Sequence, residues 1–201
     1  MERYELMTVD SPEEIERAPI ARVAHFCGGT PGYEPRTEAA IVLLHSRGFL
    51  VRMQSFETVL RAECRVPDGE VCRDSCMEFF VNFAPEKGGD YLNLEVNPLG
   101  TLHCRLGPGR GGRRALPPEL GLPEVRCAVL PDRWTAELFL PLPFVGQLFG
   151  RGDFAPGELL RGNFYKCGDD TVCPHYGMWS PVISPTPDFH RPEYFGELVL
   201  V

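Results

Sequence analysis

Apolar and polar residues alternate one by one along most of this chain, and stretches with the spacing of an amphipathic helix are short. From Gly48, "GFLVRMQSFE" sets Phe49, Val51 and Met53 on one side and Arg52 and Gln54 on the other. From Ser75, "SCMEFFVNF" turns Met77, Phe79, Val81 and Phe83 one way and Cys76, Glu78, Phe80 and Asn82 the other. From Tyr91, "YLNLEVN" directs Leu92, Leu94 and Val96 inward and presents Tyr91, Asn93, Glu95 and Asn97; from Thr101, "TLHCRL" presents Thr101, His103 and Arg105. This is the pattern of half-buried antiparallel strands, with one face on a core and one toward water.

The links agree. "APEKGGD" and "PLG" are short, Gly- and Pro-containing connections that suit hairpins, so the last three of these strands form a meander. Further strands are expected in "IARVAHF" from Ile20, "AAIVLLHS" from Ala39, "VRCAVL" from Val125, "WTAELFLPL" from Trp134, "LLRGNFYKC" from Leu159 and "GELVLV" from Gly196. About ten strands, together with 20 prolines, predict an all-β antiparallel sandwich. Two short helices are expected. "SPEEIERA" from Ser11 carries a serine N-cap, a first-position proline and early acidic residues; "PFVGQLFG" from Pro143 has room for a turn or two. With no internal repeat and no linker, residues 1–201 are expected to form a single domain.

If consecutive strands pair, one face gathers Arg52, Gln54, Glu78, Asn93, Glu95, Asn97, His103 and Arg105, extended by Arg161, Asn163 and Tyr165 from "RGNFY". A solvent face of a sheet is polar in any case. Asn and acidic residues, however, are poor strand formers, so Asn93, Glu95 and Asn97 in succession carry a local cost that points to a task for the side chains. Planar groups with paired donors or acceptors match adjacent hydroxyls of a pyranose ring. An aromatic ring can cover the sugar's apolar face, and Trp179 and Tyr165 are the candidates, with Tyr176, Phe189 and Tyr194 behind them. Trp134 opens an apolar strand and is assigned to the core.

Charge and composition narrow the partners. A formal charge of -8 argues against a phosphate-backbone footprint, so nucleic acid is not expected. The basic stretch "GPGRGGRRALPP" from Gly107 reads as a surface loop, and the "RGD" at 151–153 as a chance match. No 18 apolar residues run together and the start lacks a signal-peptide core, so no membrane partner and a cytoplasmic location are expected, secretion being the alternative where a leader has been trimmed. Eight cysteines are then expected as free thiols. The "CGDDTVCPH" loop, with Cys167, Cys173 and His175, keeps a disulfide or part of a metal site as alternatives, although no metal or cofactor is predicted. His190 and Arg191 are read as pins for the terminal segment, through an Arg191–Glu193 or cross-strand pair.

Three motifs carry a resemblance: "DSCMEFFVNF…YLNLEVNPLGTL" from Asp74, "RGNFYKCG" from Arg161, and "MWSP…PDFHRPEYFGELVLV" at the end. Over roughly residues 35 to 201, the chain resembles the carbohydrate-binding module family 9-like proteins, of the wider DOMON-like sandwiches. The resemblance implies two antiparallel sheets, a sugar site on the concave sheet, no catalytic activity, and a role beside glycoside hydrolases in saccharide degradation or uptake. Carried over, Glu78, Asn93, Glu95 and Asn97 supply polar contacts and Trp179 one of two aromatics that clamp a terminal sugar. Where the second aromatic is expected, "PDGEVCRDS" has Val71, Cys72 and Arg73. Two other functions stay open: a glycoside hydrolase using Glu78 and Glu95, since adjacent strands can set the carboxyl spacing, and a cysteine-rich interaction or redox module.

Overall fold

The computed structural model describes residues 1–201 and contains fourteen strands. In chain order they are β1 (Arg3–Val9), β2 (Ala21–Val23), β3 (His25–Phe26), β4 (Thr37–Leu44), β5 (Gly48–Ser55), β6 (Cys76–Asn82) and β7 (Tyr91–Val96), then β8 (Leu102–Gly107), β9 (Arg114–Ala115), β10 (Glu124–Val129), β11 (Trp134–Pro141), β12 (Leu159–Cys167), β13 (Tyr176–Met178) and β14 (Gly196–Leu200). One α-helix, α1 (Leu142–Phe149), follows β11. The predicted helix after Ser11 is a 3-10 helix over Pro12–Arg17, with the Glu14 carboxylate accepting from the Ser11 backbone N–H. No helix is long and apolar enough to cross a membrane.

The strands form two sheets packed face to face. The first runs β14-β12-β6-β7-β8-β9 and the second β4-β5-β11-β10. Strand β1 belongs to both: Arg3–Leu6 pairs parallel with β14, and Met7–Val9 pairs parallel with β4. The sandwich is therefore mixed where an antiparallel one was predicted, and closed along one edge. Between the sheets lies one cluster of 31 buried residues, to which Met77, Phe79 and Val81 of β6, Leu92, Leu94 and Val96 of β7, and Phe49, Val51 and Met53 of β5 contribute as their alternation requires. Trp134 is wholly buried there, as expected.

Two expectations fail at this level. Strand β5 does not share a face with β6, β7 and β8; it pairs with β4 and β11, because residues 56–75 carry the chain from one sheet to the other. Arg52 and Gln54 thus lie on the outer face of the second sheet, on the far side of the sandwich from Glu78. The other failure concerns water. Strands β6 and β7 are buried on both faces, since the segment before β14 and the loop after β8 cover the outer face of the first sheet.

Candidate functional site

The outer face of the first sheet begins as an apolar floor. Alternation places Phe80, Tyr91 and Tyr165 there, and all three are fully buried beneath the terminal segment. Phe189 stacks on Tyr165 with ring centroids 4.2 Å apart, and His190 stacks on Phe80 at 5.0 Å. His190 Nδ1 also shares a 2.8 Å hydrogen bond with the Tyr91 hydroxyl. Burial, then the nearby Arg113 and Arg110, hold the His190 pKa down to about 3, so the ring is neutral in this position. The reading of His190 and Arg191 as pins stands, since Arg191 Nε lies 2.7 Å from Glu193 Oε1.

Where this cover stops, a pocket of about 740 Å³ opens on the same sheet. Glu78 and Glu95, direct cross-strand partners on β6 and β7, form its floor. Burial, and then the Glu95 carboxylate, push the Glu78 pKa well above the usual carboxylate range. On β8, Arg105 grips Asp68 through Nε and Nη2 at 3.0 and 2.7 Å, and His103 Nδ1 lies 3.0 Å from the same carboxylate. The far wall is made by Tyr176, Asp169 and Phe189. The Gly107 loop, expected to lie free on the surface, folds over the rim. Its Arg110 pairs with Asp188 at 2.8 Å, and its Arg113 donates to Asn93 and lies 3.9 Å from Glu95.

Of the ten predicted site residues, Glu78, Glu95, His103 and Arg105 line the pocket. Asn93 sits behind it, donating to Glu95 Oε1 at 3.0 Å and accepting from Arg113, so it orients two lining side chains without facing the pocket. The others need correction. Asn97 is consumed by the turn after β7: its amide donates to Cys64 and Asp74, and its oxygen accepts from the N–H groups of Leu99 and Thr101. Asn163 clamps the Ser180 backbone with a donor and an acceptor contact, each 2.8 Å. Tyr165 is on the predicted face but sealed under Phe189, its hydroxyl donating to the Phe189 carbonyl. Arg52, on the other sheet, is paired with Glu137 and Glu16.

Trp179 is the largest correction, because it belongs to the core and not to the rim of the pocket. Strand β13 pairs with β12, and its alternation turns Tyr176 and Met178 toward the pocket side, leaving the next residue to point between the sheets. The indole is 6% exposed and meets Tyr4 and Phe164 edge-on. A Cβ at Gly196 would lie 2.4 Å from the indole, so the absence of a side chain there admits it. Tyr176 is thus the aromatic ring that reaches the pocket from this segment. Asp68, Asp169, Arg110 and Arg113 were missed because they lie in irregular loops, where no periodicity assigns a side. The "CGDDTVCPH" loop also divides: His175 Nε2 turns to the buried Lys166 amine at 2.7 Å, whereas Cys167 donates to Glu78 at 3.0 Å, and all eight cysteines are free.

A sandwich with one outer face hollowed into a polar pocket, floored by carboxylates and walled by guanidinium groups and the Tyr176 and Phe189 rings, has the form of a small-ligand site. The chain belongs to carbohydrate-binding family 9, whose model matches residues 9–200. Among solved structures it is similar to a Bacteroides uniformis protein provisionally described as carbohydrate-binding, with 24% identity and a TM-score of 0.81 over 100% of this chain and 99% of that one. It is also similar to a family 9 module from Caldicellulosiruptor kristjanssonii solved with cellotriose, at 13% identity and a TM-score of 0.70, covering 99% of this chain and 93% of that one. A family 9 module from the same organism solved with glucose has 12% identity and a TM-score of 0.70, covering 100% and 96%. At these identities the structural likeness establishes the fold. No curated protein sequence matches the chain significantly.

Proposed function

We propose that this chain is a non-catalytic module that holds the terminal residue of a saccharide in the pocket over β6, β7 and β8. The observation that carries the reading is the convergence of Glu78, Glu95, His103 and Arg105 in one pocket on a family 9 sandwich. The carboxylates accept from neighbouring hydroxyls and the cations donate, the paired geometry that vicinal diols require. Tyr176 covers the apolar ring face in place of the two-aromatic clamp. Glucose and cellotriose, the sugars bound by the Caldicellulosiruptor structures, are the first probes. Calorimetric titration is expected to show binding that Glu95→Gln and Tyr176→Ala each weaken; binding that survives both variants unchanged overturns the placement.

Hydrolysis is the competing use of the same two carboxylates. Turnover of aryl glycosides that is lost in both Glu78→Gln and Glu95→Gln would replace the binding reading. A role beside glycoside hydrolases follows from the same proposal and is checked by co-purification. A cytoplasmic location, in keeping with eight free thiols, is checked by fractionation.

A further inference from the structure

We propose that Cys76, Cys167 and Glu78 form a site for a thiophilic divalent cation such as zinc, with one coordination position open to the pocket. Three placements make the site. Cys76 and Glu78 are two residues apart on β6 and so share a face, and the β6–β12 register sets Cys167 directly opposite Cys76. One ligand atom from each, two sulfurs and a carboxylate oxygen, lies within 4.8 Å of the others. Donors around a tetrahedral zinc lie roughly 3.3–3.8 Å apart, so closing on the ion asks for side-chain shifts of about 1 Å or less.

Burial supplies an independent reason. Cys76, Glu78 and Cys167 are 0%, 3% and 2% exposed, yet the hydrogen bond made by the Glu78 carboxylate is to a weak thiol donor. Facing the cluster are Glu95 from β7, Cys72 from the turn before β6, Asp169 beyond β12 and Arg113 from the rim loop. Two of these are carboxyl groups and one is a thiol, and Arg113 is engaged by Asn93 and Glu95. Lys166, on the opposite face of β12, is held by Glu57. A divalent cation would balance two of the three negative charges that two thiolates and one carboxylate bring together here. Pocket water, or a hydroxyl of an entering ligand, fills the fourth position, as in sites that keep one position open.

No electron moves on binding. The cation displaces one proton from each thiol, and the Glu78 proton where it is bound, and these pass to solvent. Because the thiols must lose their protons to bind, affinity rises with pH.

The inference does not depend on which sugar binds, because the cation alone is the probe. Reduced protein freed of metal by chelator is titrated with Co²⁺. The expected result is a thiolate-to-cobalt charge-transfer absorption with tetrahedral visible bands, displaced by Zn²⁺. Cys76→Ser and Cys167→Ser are each expected to abolish it. Glu78→Gln keeps the side-chain shape and is expected to fold and to weaken affinity by at least about tenfold. Absence of the charge-transfer band overturns the proposal, as does a band unchanged in Glu78→Gln or in the folded double serine variant. The last outcome would assign the metal to Cys27, Cys64, Cys72 or Cys173.

Discussion

The two outer faces of this sandwich carry the same kinds of residue and come to different ends. On the second sheet, Arg52, Gln54 and Glu137 lie beside a depression of about 490 Å³, where Arg52 pairs with Glu137 and Gln54 with Glu38. These contacts are about a third exposed at Arg52 and Glu137, so each polar group is already answered by a neighbour and by water. On the first sheet, Glu78 and Glu95 face each other under a partial roof, and burial there disfavours charge without fully satisfying it. A polar face becomes a site when something covers its edges and leaves its centre open. Here the Gly107 loop and the segment before β14 cover the edges and leave Glu78 and Glu95 facing each other, whereas on the second sheet the 3-10 helix after Ser11 packs Ile15 on Val42, Leu44 and Leu50 and brings Glu16 to pair with Arg52.

This contrast can be broken in several ways. The largest effect is expected away from both faces. Trp179→Ala should cost about 3–5 kcal/mol in chemical denaturation, as for other buried large-to-small changes, while the folded protein keeps its ligand affinity. Lost affinity with unchanged stability would instead put the indole in the pocket. Next, Arg105→Ala should weaken saccharide binding by roughly ten- to a hundredfold, the effect of losing about 1.5–3 kcal/mol of charged hydrogen bonding. Affinity equal to the wild type would show that Arg105 serves only to hold Asp68.

Acid and base should act oppositely on two groups of the first sheet. The folded-state pKa of Glu78 is raised, so its penalty on folding grows as pH rises above the unfolded carboxylate value. Glu78→Gln should therefore raise the melting temperature at neutral pH more than at pH 4. The folded-state pKa of His190 is depressed to about 3, so the stability it contributes is present above about 6.5 and is lost as pH falls through the folded value. His190→Asn should flatten the acid limb of the stability curve. Melting curves of both variants across pH 3 to 8 decide the two signs, and parallel curves would mean that neither group titrates in the roofed environment. The smallest effect is expected on the second sheet, where Arg52→Ala should change stability by under about 1 kcal/mol and saccharide affinity not at all. A binding defect there would move the site to the other side of the molecule.

Strand content and core were legible because alternation is local. The phase of β6, β7 and β8 can be read from Met77, Leu92 and Leu102 without knowing any partner, and it correctly put Glu78, Glu95, His103 and Arg105 on one face. Trp179 was within reach of the same rule, but the three-residue strand that sets its phase is flanked by prolines and histidine, and carries too short a signal to assign. Asn97 and Asn163 look like recognition residues because an amide that pins backbone is the same chemical group as one that reads a ligand.

By itself, then, the sequence determined most of the strands and their inward residues, the hairpins of the meander and the family, while β1, β9 and β13 were not read from it. Which sheet each strand joins was decided only in three dimensions, by a crossing over residues 56–75 and by β1 bridging both sheets in parallel. So was the fate of each polar face, since a period of two reports which side a residue takes but not what lies over it. Covering requires contacts between segments far apart in the chain, such as Arg113 with Glu95 or His190 with Tyr91, and those depend on loop closure and packing rather than on any local pattern.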